Sequence, residues 1–215
     1  MLGPNTIKGW MLPEEIKWLQ EQASKATNLI IEIGIWYGKS TYTLCSSTNA
    51  RVIAIDNFKG SADSEGIEVY SPEDVRLAEI YARETLSEFI ESYCITPGYG
   101  HDFSDIEING DPRCIGCGKV PDQCKPKLTI IKSDSNKALD FSDFSKYQAD
   151  MIFIDGDHTY AQVLRDILNY TPLLKPNGLL SGHDRQFPSV IRAVESCFGS
   201  NYQSGPGTIW YKRIN

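Results

Sequence analysis

The chain contains no apolar run approaching the roughly 18 residues that cross a bilayer, so no membrane span is expected. It has no basic cluster interleaved with aromatics. Acids outnumber bases 28 to 21, giving a net charge of −7 and a pI near 5.0. Binding to nucleic acid rests on Lys and Arg neutralising phosphates, so this balance argues against a phosphodiester partner. The N-terminus, Met1 to Trp10, lacks a basic region followed by an apolar stretch, so no secretory leader is expected. A cytoplasmic protein is the simplest inference, and the six cysteines then read as thiols or metal ligands rather than disulfides. Internal repeats and low-complexity tracts are also missing. Nothing in the sequence fixes the oligomeric state, and a homo-oligomer is one of the options.

What the chain does have is the composition of a soluble globular protein, with 41% hydrophobic and 23% charged residues over 215 positions. That length suits one domain, residues 1–215, carrying an insertion. Apolar runs of strand length alternate with helical stripes. Strands are expected at residues 29–33, 52–55, 128–131, 151–154 and 179–181. Helices are expected from Pro13, through about Cys45, from a Ser71 cap to about Tyr93, from Tyr160, and at 190–198. A short helical turn at 134–139, a Pro176-Asn177-Gly178 turn and a closing hairpin near Tyr202 and residues 208–211 complete the pattern. Such alternation predicts an α/β fold: a Rossmann-like, doubly wound, mainly parallel sheet with helices on both faces.

The densest local signal is Leu29-Ile30-Ile31-Glu32-Ile33-Gly34, continuing through Gly38-Lys39-Ser40-Thr41. A buried strand, a glycine turn and a helix N-terminus together make a cradle for an anionic or polar cofactor. A dinucleotide fingerprint would place its first glycine where this chain has Glu32. A phosphate-binding loop needs a longer span between its glycines, although Lys39 and Ser40 suit one. Glu32, Asp56, Asp155 and Asp184 fall at or near the C-terminal ends of four expected strands, the edge where open α/β sheets bind ligands.

Asp56 is placed to accept hydrogen bonds from both hydroxyls of a ribose, and reads equally well as a turn aspartate before Asn57. Asp134 can reach an adenine amino group and can also cap a helix. In Asp155-Gly156-Asp157-His158-Thr159-Tyr160, His158 stands close enough to the strand end to serve as a general base. Asp155 with His183 and Asp184 offers oxygen and imidazole ligands for one divalent ion, or a hydrogen-bonded cluster without metal.

Glu32-x-Gly34-x-x-x-Gly38 resembles motif I of class I S-adenosylmethionine-dependent methyltransferases. The strings IDGDHTYAQVLRDI, PLLKPNGLLSGHD, FPSVIRAVESCFG and GTIWYKR extend the likeness to the small macrocin O-methyltransferase-like family, together with GWMLPEE and VIAIDNFKG. The resemblance covers most of the chain outside residues 94–126. It implies S-adenosylmethionine held by Glu32, Gly34, Gly38, Ser40, Asp56, Asp134 and Asp155. It also implies metal ligands at Asp155 and at His183-Asp184, where catechol-type relatives carry Asp-Asn, and a base at His158, where they carry lysine. The expected function is methylation of oxygen on a small hydroxylated molecule, with His158 and Asp155 at the reacting centre and Mg2+ or a similar ion assisting. The alternatives are a phosphate-loop nucleotide hydrolase or kinase, and a non-catalytic binding module that keeps the fold.

Residues 94–126 carry Cys114-Ile115-Gly116-Cys117-Gly118, then Cys124, in a stretch without sustained period. Cys-x-x-Cys-Gly has the form of a zinc knuckle, and Cys94 or His101 can complete four ligands. A structural Zn2+ is therefore expected in this inserted subdomain, three unrelated thiols being the alternative. Cys45 and Cys197 lie on helical stripes and read as core residues.

Overall fold

The computed structural model describes residues 3–61, 70–91, 127–140 and 148–215. The expected zinc ligands Cys94, His101, Cys114, Cys117 and Cys124 lie outside the described residues.

Seven strands form one sheet: β1 (Leu29–Ile33), β2 (Arg51–Asp56), β3 (Leu128–Lys132), β4 (Ala149–Ile154), β5 (Leu174–Gly182), β6 (Gln203–Ser204) and β7 (Trp210–Arg213). Their order is β3-β2-β1-β4-β5-β7-β6, with β1 to β5 parallel and β7 antiparallel to both neighbours. Every residue of β1 is buried, as a strand paired on both edges and covered on both faces requires. Alternate residues feed two cores. Ile30, Val52 and Ala54 pack with Ile16, Leu19 and Leu44 of α1 (Pro13–Ala23) and α2 (Lys39–Ser47). Ile31, Ile33, Ile53 and Ile55 pack with Val163, Ile167, Val190 and Val194 of helices on the opposite face. The strand order reverses between β1 and β4, which opens a crevice at their C-terminal ends.

Two local expectations change. The long helix after Ser71 is broken into α3 (Pro72–Thr85) and α4 (Ser87–Glu91). At the break, buried Leu86 lies against Gly38 of the β1–α2 loop, and the Ser87 hydroxyl donates to the Glu84 carbonyl, competing with the helical ladder. The Pro176-Asn177-Gly178 turn lies inside β5 rather than before it. Pairing jumps from Ala149–Leu174 to Met151–Leu179, so residues 175–178 bulge, with Asn177 at φ +64°. The bulge brings Lys175 onto Asp150, whose other carboxylate oxygen accepts three backbone N–H groups at the start of β1.

The remaining helices are α5 (Ser135–Ala138), α6 (Tyr160–Tyr170) and α7 (Pro188–Phe198). Asp134 caps α5 by accepting from the Asn136 N–H at 3.0 Å. Among the described residues no helix is long and apolar enough to cross a membrane.

Candidate active site

The β1–α2 loop is shaped by backbone that only certain residues adopt. Gly34 has φ +94° and a β-carbon there would overlap the Asp155 carbonyl oxygen. Gly38 has φ +87° and begins α2, where the Leu86 side chain leaves little room for a β-carbon. Between them Trp36 holds φ +49°, a left-handed conformation that is uncommon for a bulky residue. The loop is pinned from the next strand. Asp56 Oδ2 accepts the Ile35 N–H at 2.7 Å and the Trp36 N–H at 2.9 Å, and Oδ1 accepts the Phe58 N–H at 2.7 Å.

Two cavities open over this edge and meet at Gly34, Asp155 and Gly156. The larger, about 480 Å³, is lined by Trp10, Met11, Leu12, Trp36 and Phe187, with Glu15, Ser40, Asp155, His158, His183 and Asp184 among its polar residues. The smaller, about 140 Å³, is lined by Asp56, Asp134, Asp157 and Asp166 together with Trp36, Tyr70 and Gln162. Trp36 and Tyr70 stand at both cavities, their ring centroids 4.0 Å apart.

A chain of charge runs along the floor of the large cavity. His158 Nε2 lies 2.9 Å from Asp184 Oδ2, and its ring stacks on Phe187 at 4.8 Å. His183 Nδ1 lies 3.2 Å from Asp184 Oδ1 and 3.5 Å from Asp155 Oδ1. On its other side His183 Nε2 stands 3.1 Å from Glu15 Oε2, an ion-pair contact outside hydrogen-bond geometry. Glu15 is held by the Leu12 N–H and by the Thr208 N–H and hydroxyl. Burial opposes protonation of His183, but three carboxylates around the ring outweigh it and raise its pKa to about 11. Desolvation raises Asp155 to about 6 although its carboxylate edge opens to the cavities, and the two histidines pull the other way. Both histidines hold Asp184 far below the carboxylate range, against its burial.

A family model for a methyltransferase domain matches residues 31–185. The chain belongs to this methyltransferase family. No curated protein matches it significantly. Solved structures agree on the fold. CalS11, described as a TDP-rhamnose 3'-O-methyltransferase of calicheamicin biosynthesis, is 14% identical at a TM-score of 0.57, covering 93% of this chain and 77% of its own. The O-methyltransferase NovP is 12% identical at 0.57, covering 94% and 80%. A methyltransferase from Geobacter sulfurreducens is 12% identical at 0.52, covering 95% and 80%.

The methyltransferase is therefore a S-adenosylmethionine-dependent enzyme, and the small cavity fits that donor chemically. Five carboxylates at its wall, Asp56, Asp134, Asp155, Asp157 and Asp166, can accept hydrogen bonds, as ribose hydroxyls and an adenine amino group require, and would repel a polyphosphate. Lys39, the residue that made a phosphate loop attractive, donates to the Gly9 carbonyl at 3.2 Å instead. The family match sets the nucleotide-hydrolase alternative aside.

Of the residues expected to bind the cofactor, Gly34, Asp56, Asp134 and Asp155 line the small cavity, and Ser40 lines the large one. Glu32 and Gly38 line neither. Glu32 is fully buried beneath the loop, neither carboxylate oxygen has a hydrogen-bond partner, and desolvation raises its pKa to about 8. The Ser40 and Thr41 hydroxyls lie near enough to temper that rise without reaching hydrogen-bond geometry. Asp56 spends three of its roughly four acceptor positions on backbone N–H groups, which leaves room for one ribose hydroxyl rather than two.

Asp155, His183 and Asp184 converge as expected, with one ligand atom from each within 4.8 Å of the others. His158, the expected base, has Nε2 engaged by Asp184, and its Nδ1 is buried without a partner.

Two residues of the site carry no strand-end signal: Glu15, in the first turn of α1, and Asp166, buried at the base of the small cavity, raised to about 6 by desolvation and accepting from Ser135 and Gln162. The Gln162–Asp166 spacing of four on α6 was the available signal for the second. Glu15 offered none.

Proposed function

We propose that this methyltransferase transfers the methyl group to a hydroxyl oxygen of a small acceptor molecule, with the small cavity holding the nucleoside of the donor and the large cavity the acceptor. The observation that carries the reading is the meeting of the two cavities at Asp155. A group bound in either cavity reaches the same carboxylate. The aromatic and aliphatic wall of the large cavity suits the apolar body of an acceptor, and its acidic floor suits hydroxyl groups. When bound, the donor supplies an electrophilic sulfonium methyl. The protein holds the acceptor oxygen in line with it and removes the hydroxyl proton.

We assign that proton to Asp155, which lines both cavities and whose burial raises its pKa above that of an ordinary carboxylate, making it the stronger acceptor. His158 acts through Asp184, keeping that carboxylate ionised and fixed. It therefore serves as a positioning residue, in place of the base role its sequence context suggested. A divalent ion held by Asp155, His183 and Asp184 would supply a further means of lowering the hydroxyl pKa, replacing the proton that His183 otherwise shares with them. Glycerol-like, sugar and phenolic acceptors share the required chemistry. A small-molecule acceptor rather than nucleic acid belongs to the same reading, supported by the acidic composition.

The test is thermal stability with S-adenosylhomocysteine and, separately, with ATP and Mg2+, followed by methyl transfer from labelled S-adenosylmethionine to a panel of hydroxylated, amine and thiol acceptors. Stabilisation by S-adenosylhomocysteine with label appearing on hydroxyl compounds is expected. Label on amines or thiols alone would replace the oxygen assignment. Label transfer to no acceptor class by a protein that binds the donor product would favour a binding module.

A further inference from the structure

We infer that the Asp155–His183–Asp184 cluster is built for a first-row transition ion of the Mn2+ to Co2+ class in preference to Mg2+, and that Glu15 is the positioning residue that makes it so. The inference rests on the metal part of the proposed function and goes beyond it by assigning the ion class and a role to a residue outside the matched family region.

The donor set decides the ion class. Mg2+ and Ca2+ are hard ions that take oxygen ligands, and Mg2+ in particular keeps its waters. One imidazole among two carboxylates shifts a site toward ions of higher affinity for nitrogen. His183 presents Nδ1 to both carboxylates, at 3.2 Å and 3.5 Å. Those two edges match the about 3.0–3.5 Å separation of neighbouring ligands around an ion bonded at about 2.1 Å.

The orientation of the imidazole is set from behind. Nε2 faces Glu15 Oε2, so the Nε2 proton has a carboxylate beside it and Nδ1 is the nitrogen turned to the cluster. A metal-bound histidine whose second nitrogen faces a carboxylate is a recurrent arrangement, and it fixes ring orientation and raises ligand basicity. Glu15 cannot swing away easily. Its side chain is 1% exposed, and Leu12 and Thr208 supply it with three hydrogen bonds. Thr208 belongs to the C-terminal hairpin and Leu12 to the segment before α1, so the two ends of the described chain are joined at the residue that aims the ligand. The site also opens on the large cavity, where an ion could keep positions for water or for an acceptor hydroxyl.

The experiment uses the full chain, stripped with chelator and titrated with Mn2+ and with Mg2+ at one fixed pH. Mn2+ is chosen because it binds thiolates poorly, which keeps the cysteines of residues 94–126 out of the measurement. Binding is read by calorimetry, and nitrogen coordination by pulsed EPR of the bound Mn2+. Expected are an affinity for Mn2+ at least about tenfold above that for Mg2+ and a directly coupled nitrogen. His183→Asn should remove the nitrogen coupling and most of the preference. Glu15→Gln should weaken Mn2+ binding by about 10- to 100-fold. S-adenosylhomocysteine binding reports that each variant is folded, and it tests the methyltransferase assignment independently of the ion. Equal affinity for the two ions in the unmutated protein, Mn2+ bound with no coupled nitrogen, or no binding of either ion overturns the inference without need of any variant.

Discussion

Gly34 and Asp155 approach so closely that a β-carbon on Gly34 would overlap the Asp155 carbonyl oxygen and lie 2.9 Å from Gly156 Cα. The contact joins the ends of two neighbouring strands at the point where both cavities meet. Gly34 also has φ +94°, so an alanine there meets strain and overlap together. Gly34→Ala should cost about 2–4 kcal/mol in urea unfolding, the combined scale of left-handed strain and overpacking. It should also weaken S-adenosylhomocysteine binding, because the loop that separates the two cavities must move. A variant within experimental error of the parent in both measurements would show that the loop yields freely.

Asp56 gives a second test of the same loop. Its carboxylate accepts the Ile35, Trp36 and Phe58 N–H groups, so it acts on the protein before any ligand arrives. Asp56→Ala should lower ligand-free stability by about 1.5–3 kcal/mol, the scale for hydrogen bonds to a charged group, and reduce S-adenosylhomocysteine affinity as well. Full ligand-free stability with lost affinity would assign Asp56 to the cofactor alone.

What the sequence could and could not convey divides along the range of the interactions. Asp155, His183 and Asp184 were legible because strand–helix alternation places successive strand ends on one rim, and each sits just past an apolar run. Gly34 was legible because a turn between buried strand and helix needs it. Asp56 was placed correctly at the edge, but its capture by the Ile35 and Trp36 N–H groups depends on loop curvature that no spacing encodes. Glu15 meets Thr208 and His183 from the far end of the chain, a contact with no local signature. The break at Leu86 depends on Gly38, in another element, accepting a leucine against its backbone. His158 was legible as a residue of the site, but its contacts with Asp184 and Phe187, which set the ring orientation, have no local signature.

Glu32 makes the stability of the protein depend on pH. Its folded pKa, near 8, lies above the usual value of 4.5, so the folded protein keeps it protonated through neutrality while the unfolded chain would release the proton. The contribution is intact below about pH 4.5 and is lost as pH rises toward and through about 8. Glu32→Gln removes this titration. Unfolding by urea at pH 5 and at pH 8 should show the variant gaining on the parent between the two, by about 1–3 kcal/mol after allowance for partial relaxation of the buried site. The difference between pH values cancels any constant effect of the amide. Parallel losses in both proteins would mean that Glu32 is ionised in the fold.

The cysteines of residues 94–126 carry a prediction from spacing alone. Purified protein should hold about one equivalent of zinc by elemental analysis, and Cys117→Ser should release it while S-adenosylhomocysteine still binds. Zinc retained in that variant would show that Cys117 is an ordinary thiol.

His158 and Asp155 can be separated by kinetics. Asp155 stands at the junction of the two cavities, whereas His158 lines the large cavity with its Nε2 engaged by Asp184. Asp155→Asn removes the proton acceptor and one metal ligand, so kcat should fall by about 100-fold or more, within the range for general-base catalysis. His158→Ala leaves Asp155 in place and frees Asp184 to move. It should lower kcat by a smaller factor, with donor affinity unchanged because His158 is not part of the small cavity's lining. His158→Gln, which can still donate to Asp184, should recover part of that loss. A positioning role permits such rescue and a base role does not, because an amide cannot take up a proton at neutral pH. If the glutamine variant is as inactive as the alanine one while Asp155→Asn retains most activity, the proton goes to His158 and the assignment of the two residues is reversed.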